Sequence, residues 1–137
     1  SKLFFFGVFV QDKLTKKVLI VDEFSASRKI LIDNLEQLGF ENLDEACDGF
    51  SALISLKTGL FDLIIIAYKM KKVSGLELLL QIRCDPNLKQ IPVLMVLEDG
   101  KEEDLVEAFK AGLNDYVNNP FKVNILSEKI NKIFEYS

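Results

Sequence analysis

Histidine is absent from this 137-residue chain. That one absence excludes a Ser-His-Asp or Cys-His nucleophile pair, an H-E-x-x-H zinc site and a histidine general base. Cysteine is scarce: Cys47 and Cys84 are too few for a disulfide framework or a four-thiolate zinc site. Both fall within segments that read as regular structure, so they are expected as buried free thiols of a cytoplasmic protein. Excess positive charge is also missing. Lys plus Arg total 17 against 21 Asp plus Glu, a net charge of −4, which argues against a broad nucleic-acid footprint. The local clusters Lys13, Lys16, Lys17 and Lys69, Lys71, Lys72 carry no interleaved aromatics and read as solvated faces. No run approaches the ~18 apolar residues of a membrane span. No strand is followed by G-x-G-x-x-G or G-x-x-x-x-G-K-[ST], so dinucleotide and P-loop readings are weak.

What is present is an apolar fraction of 49% beside 28% charged residues, a globular balance at a length that suits one domain. The chain starts with an apolar run, Leu3 to Val10 (LFFFGVFV), without an initiating Met. It has neither the charged leader nor the small-residue cleavage site of a signal peptide. Residues 1–12 are therefore expected to be an extension: a remnant of a preceding segment, a linker, or an extra strand packed on the domain or a neighbouring chain. Residues 13–137 form the domain proper.

From Lys17 onward, short β-rich runs alternate with longer amphipathic stretches. Val18 to Val21 is continuously apolar, as a strand covered on both faces requires. Ser25 to Leu38 spaces Leu31, Leu35 and Leu38 at helical intervals and stops at Gly39. A weaker strand spans Leu43 to Cys47, and Asp48-Gly49 turns into a helix carrying Ala52, Leu53 and Leu56 that ends at Gly59. Leu63 to Ala67 (LIIIA) is the strongest strand and must be central. Ser74-x-x-Glu77 is a capping box opening the next helix, and Val93 to Leu97 is the fourth apolar strand. Helix four, Lys101 to Ala111, carries Glu102, Glu103 and Asp104 in its first turn, where the helix dipole favours them. Asp115 to Asn118 is a fifth strand, and Val123 to Phe134 a last helix facing inward through Leu126, Ile130 and Ile133.

Five β/α units with strands apolar on both faces predict an α/β fold, a five-stranded parallel sheet with helices on both faces. Its site should lie where the carboxyl ends of the strands meet the loops. Asp22 and Glu23 end the first strand there, and adjacent carboxylates at such a position suit a hard cation such as Mg²⁺ or simply cap the following helix.

The segments VDEFSASRK after strand one, M-x-x-x-x-G-L-E-L-L after strand three, PVLMV in strand four and DYVNNPF around strand five resemble the receiver domain of two-component response regulators, with the single-domain chemotaxis regulators of CheY type the nearest likeness. The resemblance runs from about Asp12 to the end. It implies the flavodoxin-like (βα)5 fold with strand order 2-1-3-4-5, protein partners, and work without nucleic acid or membrane. It also implies departures. The position of the phosphoacceptor aspartate holds Ala67, that of the strand-four hydroxyl holds Leu97, and that of the lysine before proline holds Asn119. Of the five key positions only Asp22 and Glu23 keep the family's chemistry.

The resemblance therefore implies a pseudo-receiver, not an enzyme, that acts through phosphorylation-independent protein contacts. Natural loss and deliberate inactivation of a chemotaxis regulator both account for the three replacements. A non-standard acceptor and an acidic-pocket ligand sensor are the alternatives. Asp62 lies at the wrong end of its strand for an acceptor, and nothing in the sequence brings Glu98 or Asp99 beside Asp22. No cofactor is expected, with weak Mg²⁺ contact at Asp22 and Glu23 left open. Lys69 is expected to set its ammonium against Asp22 or Glu23 in place of Mg²⁺, and Leu97 to fill part of the acidic pocket. Tyr116 occupies the family's switching aromatic position and should hold one rotamer by packing alone. The face of helix four, strand five and helix five is the expected surface for a partner or a second copy, through Lys101, Leu105, Phe109, Tyr116, Asn118 and Lys129.

Overall fold

The computed structural model describes residues 13–135. The expected extension at residues 1–12 lies outside them. Five strands alternate with five helices: β1 (Lys17–Val21), α1 (Ser25–Gln37), β2 (Asn42–Ala46), α2 (Gly49–Thr58), β3 (Leu63–Ala67), α3 (Gly75–Cys84), β4 (Val93–Glu98), α4 (Glu102–Lys110), β5 (Asp115–Asn119) and α5 (Val123–Glu135). All strand pairings are parallel and the order is β2-β1-β3-β4-β5. The expected elements are all present, shifted by a residue or so at their ends.

Alternation along the strands divides the core in two. Leu19, Val21, Ile64, Ile66 and Met95 face α2, α3 and α4. Val18, Ile20, Ile65 and Leu94 face α1 and α5 through Leu31, Leu35, Leu126 and Ile130. The central strand β3 has no solvent exposure from Leu63 to Ile66. Each such side chain contributes roughly 1.5–3 kcal/mol of burial, which is why LIIIA takes the middle of the sheet.

The helix starts follow local chemistry. Asp48 caps α2 by accepting the Ser51 amide at 2.7 Å and the Ser51 hydroxyl at 2.6 Å. Ser74 caps α3 by accepting the Glu77 amide at 3.1 Å. Gly75 is required for a different reason. Its amide donates to Tyr68 O at 2.8 Å, and a Cβ there would stand 2.5 Å from Ala67 O, so only glycine lets α3 start against the end of β3.

The two cysteines are exposed, not buried. Cys47 falls just past β2, and Cys84 is off the α3 stripe of Leu78, Leu79 and Ile82 that meets the sheet. Membership of an element does not decide burial; the face does.

Candidate functional site

A cleft of about 410 Å³ opens at the carboxyl edge of the sheet. Asp22 and Glu23 after β1, Ala67 at the end of β3, Lys69 and Lys71 of the β3–α3 loop and Glu98 at the end of β4 line it. Apart from Ser27 and Asn119 the rest is apolar: Phe24, Ile30 and Leu31 of the β1–α1 region, Met70, Val96 and Phe121. In a parallel sheet every strand-to-helix loop lies on this edge, so residues distant in sequence converge here.

Asp22 is the buried polar residue of the described core, 8% exposed. Its Oδ1 accepts the Phe24 amide at 2.9 Å, bending the chain into α1. Burial pushes its carboxyl above the usual carboxylate range, against the lowering by that hydrogen bond and by the Arg28 guanidinium; the carboxylates of Glu23 and Glu98 push it further up. Arg28 does not meet the carboxylate itself. It donates from Nη1 to the Asp22 carbonyl at 2.7 Å and from Nε to Glu45 Oε1 at 2.9 Å. Glu23 Oε2 accepts the Lys71 amide at 3.4 Å, and Asn119 Nδ2 donates to Glu98 Oε1 at 3.4 Å. The Asn119–Pro120 bond is cis.

Three expectations change. Lys69 lines the cleft, yet among the described residues no ion pair joins its ammonium to Asp22 or Glu23; it is exposed, and solvation outweighs a long-stemmed contact. Leu97 does not fill the acidic pocket. It is 1% exposed within the cluster that includes Met95 and Ala108, while its neighbours Val96 and Glu98 line the cleft, as strand alternation dictates. Glu98, in turn, does stand in the cleft with Asp22. Asp62 is at the other end of the sheet as expected, its Oδ2 accepting the Lys17 amide at 2.8 Å. Sequence reasoning missed Arg28 and the apolar wall of Phe24 and Ile30; the exposed large side chains of these last two on α1 and its entry were the available signal.

Among the described residues no group of three or more His, Cys, Asp or Glu side chains is placed to hold a metal ion. Ala67, at the end of β3, brings no oxygen to the cleft beside Asp22 and Glu23.

On the flank of the same edge, Tyr116 is half-buried and meets Phe109 edge-on, with ring centroids 6.2 Å apart and planes at 79°. The Lys129 ammonium sits 5.0 Å above the Tyr116 ring and 3.0 Å from Asp115 Oδ1. Lys101 and Asn118 are exposed, Leu105 is half-buried, and Phe109 is 43% exposed. Ring and cation contacts thus join Phe109 of α4, Tyr116 of β5 and Lys129 of α5.

A doubly wound sheet in the order 2-1-3-4-5, with an acidic cleft at its switch point, defines a flavodoxin-like α/β module. The family model described as "Response regulator receiver domain" matches residues 18–131. The chain belongs to the response regulator receiver domain family. It is 46% identical over 119 residues to chemotaxis protein CheY-3 of Vibrio cholerae, covering 87% of this chain and 92% of that one. It is likewise 46% identical to chemotaxis protein CheY of Pseudomonas aeruginosa, covering 87% and 96%. The solved structure of Vibrio cholerae CheY4 superposes with a TM-score of 0.80 at 27% identity, covering 86% of this chain and 98% of that one. Among the described residues no helix is long and apolar enough to cross a membrane.

Proposed function

We propose that this receiver domain is a pseudo-receiver, which carries the scaffold and partner face of a chemotaxis-type regulator without phosphorylation at the end of β3. The observation that carries the reading is Ala67. It lies at the carboxyl end of β3 on the cleft, where the family's acceptor aspartate belongs, and a methyl group neither accepts a phosphoryl group nor ligates a metal. Two further departures support it. Leu97 sends a hydrocarbon into the core where the family has a hydroxyl, and Asn119 gives its amide to Glu98 where the family has an ammonium.

A ligand shifts a two-state equilibrium only through differential contacts. With no acceptor, phosphate makes none, so the domain rests in the state its sequence sets. It works as a non-enzymatic cytoplasmic adaptor without Mg²⁺, and binds a protein partner through the α4–β5–α5 face. The exposed Phe109, braced by Tyr116 and Lys129, supports that surface. The chemotaxis names of the 46%-identical relatives support the pathway class.

Incubation with acetyl phosphate and Mg²⁺ followed by intact mass tests the reading. The native mass is expected to stay unchanged, while an Ala67→Asp, Leu97→Thr, Asn119→Lys triple variant run alongside gains a phosphoryl group. A native adduct of about 80 Da would overturn the reading; mapped to Glu98, which shares the cleft with Asp22, it would establish a receiver with a displaced acceptor instead.

A further inference from the structure

The cleft combines a nearly buried carboxylate, two further carboxylates and a largely apolar lining. Its floor is an aspartate 8% exposed, one of whose oxygens accepts the Phe24 amide at 2.9 Å; the other accepts no hydrogen bond from the described residues. Two more carboxylates, Glu23 and Glu98, face the same space, and the positive groups nearby are committed elsewhere or solvated: Arg28 to the Asp22 carbonyl and Glu45, Lys69 and Lys71 out in water. Much of the remaining lining is hydrocarbon, and it includes Phe24, 58% exposed, and Ile30, 59% exposed.

From these we propose that the cleft is a binding site for a small organic monocation, a primary ammonium carried on an apolar body. The ammonium donates to the free oxygen of Asp22 and lies between Glu23 and Glu98. Three N–H donors on one charge can be shared among these carboxylates. The apolar body lies over Phe24 and Ile30 and removes their exposed surface from water, and the aromatic ring of Phe24 adds attraction for a nearby cation. At about 410 Å³ the space is in the range of small-molecule sites. Anions and nucleotides are disfavoured, since their phosphates or carboxylates would stand against the three acidic side chains.

This goes beyond the pseudo-receiver reading and does not need it. A chain phosphorylated elsewhere would fail the mass test and still bind the cation, and a pseudo-receiver with an inert cleft would pass it.

The test is a titration of the isotope-labelled full chain, followed by amide chemical shifts, with 2-phenylethylammonium and with two probes of the same body: phenylacetate and neutral 2-phenylethanol. Saturable shifts are expected at Asp22, Phe24, Ile30 and Ala67 for the ammonium, weaker ones for the alcohol and none for phenylacetate. Asp22→Asn keeps an acceptor for the Phe24 amide and removes the charge, and Phe24→Ala changes an exposed side chain, so both should fold. Each is expected to weaken the ammonium about tenfold or more, roughly 1.4 kcal/mol. Phenylacetate binding as tightly as the ammonium, affinity unchanged in both variants, or no saturable shift in the cleft would each overturn the assignment.

Discussion

The carboxyl group of Asp22 is held between opposing influences. Burial and the two neighbouring carboxylates favour its neutral form, and the Phe24 amide and Arg28 favour its charged form, with burial dominant. Its native affinity for protons therefore exceeds that of the unfolded chain, in which the carboxyl titrates near 3.8. Between these values the native state binds more protons, so stability falls as pH rises through the native value and stays lower above it. Asp22→Asn removes the charge and keeps the hydrogen bond. We expect a higher urea midpoint than native at pH near 7, and a gap that closes as pH drops through the native value toward 3.8. The charged groups facing Asp22 (Glu23, Glu98, Arg28, Lys69, Lys71) remain in both proteins, so a gap independent of pH would reject burial as the cause. The sequence placed Asp22 and Glu23 at a strand end because a continuous apolar run stops there. It could not show that Arg28, six residues on, turns one helical turn back to the Asp22 carbonyl, or that Glu98 arrives from β4. Those contacts depend on side-chain direction across loops, which hydrophobic periodicity does not record.

Elements are tied together by one residue that no motif or periodicity singles out. Arg83, near the end of α3, donates from Nε to Gly112 O at 3.0 Å, from Nη1 to Ile91 O at 2.7 Å and Lys89 O at 3.1 Å, and from Nη2 to Asn114 Oδ1 at 2.9 Å. Asn114 Oδ1 also accepts the Val93 amide at 2.8 Å, so α3, the loop before β4 and the α4–β5 turn share one guanidinium. A planar fork does this; an ammonium does not. Gly112 is the partner side of the same device. Its φ is +104°, and a Cβ there would stand 2.8 Å from Arg83 Nε. Gly112→Ala meets both the backbone and the guanidinium, and is expected to cost about 1–3 kcal/mol in denaturant unfolding. Arg83→Lys should cost a similar ~1–3 kcal/mol by leaving carbonyls unpaired. If Gly112→Ala were neutral, the strut would be slack. The helices and strands themselves were legible because each carries a clear period and a cap or stop: Asp48, Ser74, Gly39, Gly112. The cysteines were misjudged because the period was not applied to them. Cys84 lies off the buried stripe of a helix whose face had already been read.

On the scale of the whole molecule, the sheet is built for one edge to matter. Every apolar run ends at the same side, so the packed strands hold a rigid floor while the loops above it vary without disturbing the core. That division explains why the fold survives Ala67, Leu97 and Asn119. Ala67 closes a strand that is already buried, Leu97 adds hydrocarbon to a hydrocarbon cluster, and Asn119 sits exposed at the end of β5. Global stability then reports what the cleft binds. A ligand held by the native state alone adds RT ln(1 + [L]/Kd), about 1.4 kcal/mol at tenfold excess over Kd. In a domain of this length that raises Tm by about 3–5 °C. With no oxygen supplied by Ala67 at the end of β3, millimolar Mg²⁺ is expected to leave Tm of the native chain within about 1 °C of its metal-free value, below that saturation shift. Ala67→Asp adds a carboxylate at the end of β3 beside Asp22 and is expected to acquire a Mg²⁺-dependent rise, at the cost of lower metal-free stability from a further negative charge beside Asp22, Glu23 and Glu98. A Mg²⁺ shift equal in both proteins, read by calorimetry, would mean that Asp22 and Glu23 with water suffice for the ion and that the methyl of Ala67 changes nothing there.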